Sequence, residues 1–280
     1  MQGYLHGSTF VVRNMPGAGH LIGANAISAS KPDGVTFGTF NTGLIYNQIS
    51  GQDGGKFDLN KIPGIAKAAS DPRVSAITTQ SPIKTWKDLI DHKSPLNFAT
   101  AGVSSASYVE TVMLTSALKL PINLLTGYNG TDNQLPMRID EIVVSIASRS
   151  SHDQCVKNAF GRYIAQIGGK DTDVPQLSSL VTDPKGKDLI ALVQSQGDIA
   201  RLTAGAPSSP ADLTAALTGA CRKAMEDKEL QERVEKLERP VEPLYGDDVL
   251  KAVQAALNEK AKAVALLKEA LGNSKALSFG

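Results

Sequence analysis

Little in this chain points to chemistry that needs reactive side chains. Cysteine occurs twice, as Cys155 and Cys221. So distant a pair fits neither a metal knuckle nor a redox CxxC, and it reads as two buried free thiols. The four histidines, His6, His20, His92 and His152, have no metal-ligand spacing. No GxSxG elbow occurs, and no two carboxylates are placed for acid–base work. Neither charge sign is in excess: 29 basic against 28 acidic residues leave a net charge of +1. Without a basic stripe, a nucleic-acid partner is not expected. No apolar run approaches the roughly 18 residues of a membrane span. Residues 1–6 lack the basic n-region and apolar core of a signal peptide. Either the protein is cytosolic or its signal lies outside this sequence.

What is present is the composition of an ordinary globular protein, with 280 residues, 41% hydrophobic and 20% charged. That length has room for two α/β lobes. Residues 9–13, Thr-Phe-Val-Val-Arg, predict a strand. Leu21, Ile22, Ala26 and Ile27 recur at helical spacing and predict a helix over 18–30. Lys31-Pro32-Asp33-Gly34 is a turn, and 35–40 a second strand. Strands are expected at 65–70, 73–79, 96–100, 122–125, 141–146 and 163–167. Thr85-Trp86-Lys87-Asp88 has the pattern of a capping box opening a short helix. Helices are expected over 106–118 and from Asp183 through Val193. The last third reads as helical. Ser209-Pro210-Ala211-Asp212 predicts a helix start with Ser209 as N-cap. Another helix over 228–238 carries a solvated charged face, and one or two more fill 249–271. Strands alternating with helices predict parallel sheets, whose ligand sites lie outside the carboxyl ends of the strands.

Three loops meet that condition: Asn41-Thr42-Gly43, the stretch 100–105, and 127–131. In Thr100-Ala101-Gly102-Val103-Ser104-Ser105, small residues let backbone approach a ligand closely. The first N–H groups of the following helix carry partial positive charge and suit a carboxylate or phosphate. The same residues serve equally as a plain capped helix start, with Ser104 or Ser105 as N-cap. Gly127-Tyr128-Asn129-Gly130-Thr131 offers Tyr128 to orient a polar ligand, yet Asn-Gly is also a routine turn pair. Ser145 and Ser148 carry the same ambiguity. Gly17, Gly19 and Gly23 are spaced GxGxxxG, and Asp33 follows too early for a dinucleotide fingerprint. These glycines suit a turn and close helix–strand packing.

Val11-Val12-Arg13-Asn14-Met15-Pro16-Gly17-Ala18-Gly19, followed by Pro32-Asp33-Gly34, resembles the tripartite tricarboxylate transporter receptors, the TctC or Bug type. The resemblance continues through Ser81-Pro82-Ile83-Lys84-Thr85-Trp86-Lys87-Asp88-Leu89, residues 99–107, Gly127-Tyr128-Asn129-Gly130 and Asp173-Val174-Pro175. It extends to 206–210, Met225-Glu226-Asp227 and 241–247. No one motif is decisive; their order and spacing are specific. The resemblance implies an α/β, two-lobe type II periplasmic-binding-protein-like fold. It divides the chain into lobe 1, residues 1–78 plus 202–280, and lobe 2, residues 79–201, with a hinge near Thr78 and Arg201. It implies a periplasmic receptor that closes on a small organic carboxylate and delivers it to the membrane permease subunits of the transporter. No metal or cofactor is implied. Thr100, Gly102, Ser104, Ser105, Tyr128 and Ser145 are the expected ligand residues of the second lobe, and Asn41 and Thr42 those of the first. Two departures stand against the family pattern. The family begins with a strand and a Gly-rich loop that binds one ligand carboxylate; against that pattern this sequence starts inside the helix that follows them, so half of the anion site would be missing. The stretch from Arg138 to Ser145 lacks the usual glycine, and 146–160 follows the pattern poorly. Alternatives are a truncated, ligand-incompetent remnant of such a receptor, an enzyme on the same fold, and an effector-sensing domain. The last is disfavoured by the lack of a DNA-binding segment.

Overall fold

The computed structural model of the chain describes residues 1–128, 134–259 and 261–274. The chain forms two compact units, Met1–Ser70 with Ile199–Asn258, and Asp71–Asp198 with Glu259–Gly280. The first unit opens with α1 (Leu21–Ser28), β1 (Phe37–Phe40), α2 (Gly43–Ser50) and β2 (Gly64–Ala69). The second contains β3 (Arg73–Thr78), α3 (Trp86–Asp91), β4 (Leu96–Thr100), α4 (Ala106–Ala117), β5 (Ile122–Thr126) and α5 (Gln134–Arg138). It continues through β6 (Val144–Ser148), α6 (Arg149–Lys157), β7 (Gly161–Ile167), α7 (Leu177–Leu180) and α8 (Pro184–Gly197). The chain then returns to the first unit with β8 (Ala200–Gly205), α9 (Ala211–Met225), α10 (Lys228–Lys236), β9 (Leu244–Tyr245) and α11 (Asp247–Leu257). The last helix, α12 (Ala261–Ser274), belongs to the second unit.

The sheet of the first unit runs β1-β8-β2-β9, and every neighbouring pair is antiparallel. Thr39 and Thr203 face each other across β1 and β8, with their hydroxyls 2.9 Å apart. Its core gathers Leu44, Ile45, Leu59, Leu202 and Val249. The sheet of the second unit runs β5-β4-β6-β3-β7. β4 is parallel to β5 and β6, whereas β3 is antiparallel to β6 and β7. The expected parallel sheets are therefore corrected to one antiparallel and one mixed sheet. The antiparallel pairs join strands far apart in sequence, β8 with β1 and β2, and β3 with β6 and β7, so the alternation of strands and helices along the chain did not fix strand direction.

Several helix starts follow their sequence signals. Thr85 and Asp88 form both halves of a capping box on α3. Asp183 caps α8 ahead of Pro184, and Asp227 caps α10. Ser209 does not cap α9 as expected: Pro210 occupies the cap position, and the Ser209 hydroxyl donates to the Ala206 carbonyl at 2.8 Å. The charged residues of α10 are solvent-exposed, as its pattern predicts. Cys155 and Cys221 are buried free thiols.

Residues 9–13 form no strand, and Val11 and Val12 are 87% and 90% exposed. β propensity expresses itself only where a neighbouring strand pairs, and no strand among the described residues pairs there. The strand expected at 141–146 begins at Val144, because Glu141 and Ile142 donate their N–H groups to the Pro136 carbonyl. The units also divide differently from the expected lobes 1–78 plus 202–280 and 79–201. Residues 73–78 are β3, bonded to β6 and β7, and α12 packs on α4 and α8, so both belong to the second unit. Residues 200 and 201 belong to β8 and so to the first.

Candidate functional site

Thr100 ends β4, and its register partner Thr126 ends the parallel strand β5. Ser145 lies beside Ala99 on the other parallel neighbour, β6. The loop after Thr100 therefore leaves the sheet at the carboxyl ends of three parallel strands and runs into α4. Ser104 holds a left-handed conformation, with φ +77°. Ser105 is the N-cap, its Oγ accepting the Tyr108 N–H at 3.2 Å. The Ser105 N–H donates to the Gly102 carbonyl at 2.9 Å, and the Ala101 N–H to Ser107 Oγ at 3.1 Å. These bonds fold 101–105 into a tight turn. The N–H groups of Ala106 and Ser107, in the first turn of α4, have no intrahelical acceptor. The arrangement is a neutral set of oriented donors at the positive end of a 12-residue helix.

The expected site residues of this unit do not all face that turn. Gly102, Ser104 and Ser105 build it. Thr100 is buried, and its hydroxyl is turned to the carbonyls of Ala101 (3.2 Å) and Leu125 (3.4 Å). Ser145 is 1% exposed, with its hydroxyl 3.4 Å from the Ala99 carbonyl. Tyr128 joins the turn through its backbone, its N–H donating to the Thr100 carbonyl at 3.1 Å. Its ring packs against the core cluster of Ala99, Met137 and Ile142. Its hydroxyl donates to Glu141 Oε1 at 2.5 Å, and that bond raises the phenol pKa. Glu141 precedes β6 and its carbonyl accepts from Asn97, so this hydroxyl lies toward the amino ends of the strands. Asn129, Gly130 and Thr131, also expected here, lie outside the described residues.

A buried polar cluster backs the turn. Arg73 Nε donates to Glu110 Oε1 of α4 at 2.9 Å, and its Nη1 to Ser148 Oγ at 2.5 Å. Both charged side chains are at most 4% exposed, so they neutralise each other inside the protein. Asp71 accepts from the Ser150 N–H and hydroxyl, and His152 Nδ1 lies 3.2 Å from the Ser148 carbonyl oxygen. Sequence reasoning missed Ser107, whose place two residues past Ser105 was an available signal. It also missed Glu141 and the Arg73–Glu110 pair, which only tertiary structure brings together.

In the first unit, Asn41 and Thr42 follow β1, and Thr42 is the N-cap of α2. Asn41 Oδ1 accepts the Gly43 N–H at 3.0 Å and the Thr42 hydroxyl at 3.4 Å. The Asn41 side chain is half-buried, and among the described residues its amide N–H groups meet no acceptor. Thr42 is buried. Gly17 has φ +123°, and an added Cβ would come within 2.5 Å of Ile22 Cδ1, so this glycine serves the turn before α1. Among the described residues, no group of three or more His, Cys, Asp and Glu side chains is arranged to hold a metal, and no helix is long and apolar enough to cross a membrane.

Solved structures with the same fold include a Rhodopseudomonas palustris protein with adipate, at 15% identity and TM-score 0.75, covering 95% of this chain and 88% of that one. The periplasmic binding protein BugD matches at 17% identity and TM-score 0.72, over 98% of this chain and 89% of that one. MatC from Rhodopseudomonas palustris, with bound malate, matches at 17% identity and TM-score 0.69, over 91% and 85%. No curated protein sequence matches the chain. The two-unit α/β architecture is that of periplasmic binding proteins. A family model described as the tripartite tricarboxylate transporter family receptor matches residues 5–270, and the chain belongs to that receptor family.

Proposed function

We propose that this protein is a periplasmic receptor that captures a small organic carboxylate and delivers it to the permease of a tripartite tricarboxylate-type transporter. The observation that carries this reading is the turn at 101–105, which presents neutral N–H and hydroxyl donors at the head of α4. Such donors hold a carboxylate without a counter-charge. Family membership supports the transport role, and similar folds have been solved with adipate and malate. On this reading Gly102, Ser104 and Ser105 supply the donors of the second unit, and the free amide of Asn41 those of the first. Thr42, Thr100, Ser145 and Tyr128 shape the supporting backbone.

Calorimetric titration of the chain with malate, adipate and related mono- and tricarboxylates tests it. One of these acids should bind and raise the melting temperature in a concentration-dependent way. Ser104→Ala combined with Ser105→Ala should weaken that binding by roughly tenfold or more, the effect of losing a hydrogen bond to a charged group. Absence of binding by the whole panel refutes the reading. Binding that ignores the double substitution removes the turn from it.

A further inference from the structure

The turn at 101–105 joins two bodies, and its donors come from both. Gly102 and Ser104 leave the sheet with β4, whereas the N–H groups of Ala106 and Ser107 ride on α4. They converge on one anion only while α4 keeps its rotation and height against the sheet. Apolar packing sets neither. Val109, Val112, Met113 and Leu114 are buried around the helix, and apolar contact has no preferred direction. The Thr115 hydroxyl bonds within the helix, to the Thr111 carbonyl at 2.7 Å. The Tyr108 hydroxyl donates to Ser274 Oγ of α12 at 3.2 Å, which ties α4 to another helix and not to the sheet.

Glu110 supplies a directional tie to the sheet. Its Oε1 accepts from Nε of Arg73, the first residue of β3. The same guanidinium donates to Ser148 Oγ, its register partner at the end of β6, and β6 lies parallel beside β4. Arg73, Glu110 and Ser148 are 4%, 0% and 5% exposed. Stability does not account for an ion pair so placed, because a packed apolar pair of similar volume serves a protein interior as well or better. What a bonded pair adds is direction and register. Glu110 lies four residues past Ala106, about 6 Å along the axis of the helix, so whatever fixes Glu110 also fixes the first turn. We propose that Arg73 and Glu110 are positioning residues for anion capture: their bond sets the register of α4 on the sheet and so aims the Ala106 and Ser107 N–H groups at the anion held by 101–105. The proposal rests on the carboxylate reading above.

Three measurements on the whole chain test it: melting temperature, affinity for malate and for adipate, and amide hydrogen exchange of residues 101–107 without ligand. Arg73→Met with Glu110→Leu should melt close to the parent and exchange faster across 101–107. It should bind roughly tenfold more weakly, because hydrogen bonds weaken steeply once misaimed. Glu110→Gln keeps an oxygen that accepts from Arg73 Nε but leaves the guanidinium charge unopposed. It should melt below the double variant, yet bind within about threefold of the parent. A purely stabilising pair predicts the reverse, with affinity following melting temperature. That order overturns the proposal, as does a double variant that binds and exchanges like the parent. Should the double variant fail to fold, Glu110→Gln decides alone, and a roughly tenfold loss of affinity there overturns the proposal. If the parent binds neither acid, the carboxylate reading falls. Exchange at 101–107 then decides the positioning role: faster in the double variant if the pair sets the turn, unchanged if it does not.

Discussion

His152 is the buried side chain with the most to say about pH. It is completely enclosed, and burial holds its imidazole below the ordinary value of 6.5. The nearby carboxylates of Asp71 and Asp153 oppose that shift, while Arg73 reinforces it. In the unfolded chain the same ring takes up a proton near pH 6.5. Between that value and its lower folded value the unfolded state binds more protons. The histidine's contribution is then complete above about pH 6.5 and is lost as pH falls, by at most about 1.4 kcal/mol per pH unit. Urea unfolding at about pH 7 and about pH 5.5 should show a larger fall in midpoint for the parent than for His152→Gln. Parallel behaviour of the two would mean that the ring charges without penalty. A serine ahead of a helix declares itself locally, which is why Ser105 was readable from the chain as a cap. Glu141 and Glu110 were not, because tertiary packing brings their partners Tyr128 and Arg73 to them; for His152, whose Nδ1 meets the Ser148 carbonyl only four residues back, it was the complete burial that no local pattern showed.

At the scale of elements, α4 depends on a contact that no local pattern reveals. Glu110 lies on the helix that carries the candidate turn, and its partner Arg73 begins β3. Glu110→Ala would leave the buried guanidinium without its carboxylate. Unfolding measurements should show a loss of about 3–5 kcal/mol. Replacing the pair together, Arg73→Met with Glu110→Leu, should recover most of that loss, since a packed apolar pair avoids the desolvation penalty. If the double variant is no more stable than the single one, the pair does more than neutralise its own burial. Elsewhere, elements with strong local signals came through. β4 matches its predicted 96–100, and the Thr85 capping box opens α3. β8 was not readable, because Ala200, Ala204 and Gly205 are weak strand formers and the strand exists through its pairing with β1 and β2. α2 was hidden for a related reason: Gly43, Asn47 and Ser50 dilute its apolar face, although Leu44 and Ile45 are buried. The segment 9–13 shows the converse, since good strand formers stayed unpaired for want of a neighbour.

For the whole molecule, electrostatics separates two ways of holding an anion. The chain carries a net charge of +1, so no strong overall field draws an anion in. Within the second unit, Arg73, the buried cation near the candidate turn, is neutralised by Glu110. The remaining donors are backbone N–H groups and hydroxyls, whose attraction acts over hydrogen-bond distances. Salt screens interactions between charges separated by more than a Debye length, about 10 Å at 0.1 M, and short directional bonds far less. Affinity for the bound carboxylate should therefore change by less than about threefold as ionic strength rises from roughly 0.02 M to 0.3 M. A site built around exposed lysine or arginine would weaken steeply over the same range. Titrations at the two salt concentrations distinguish them. A steep loss would mean that a cation outside the turn at 101–105 carries the binding.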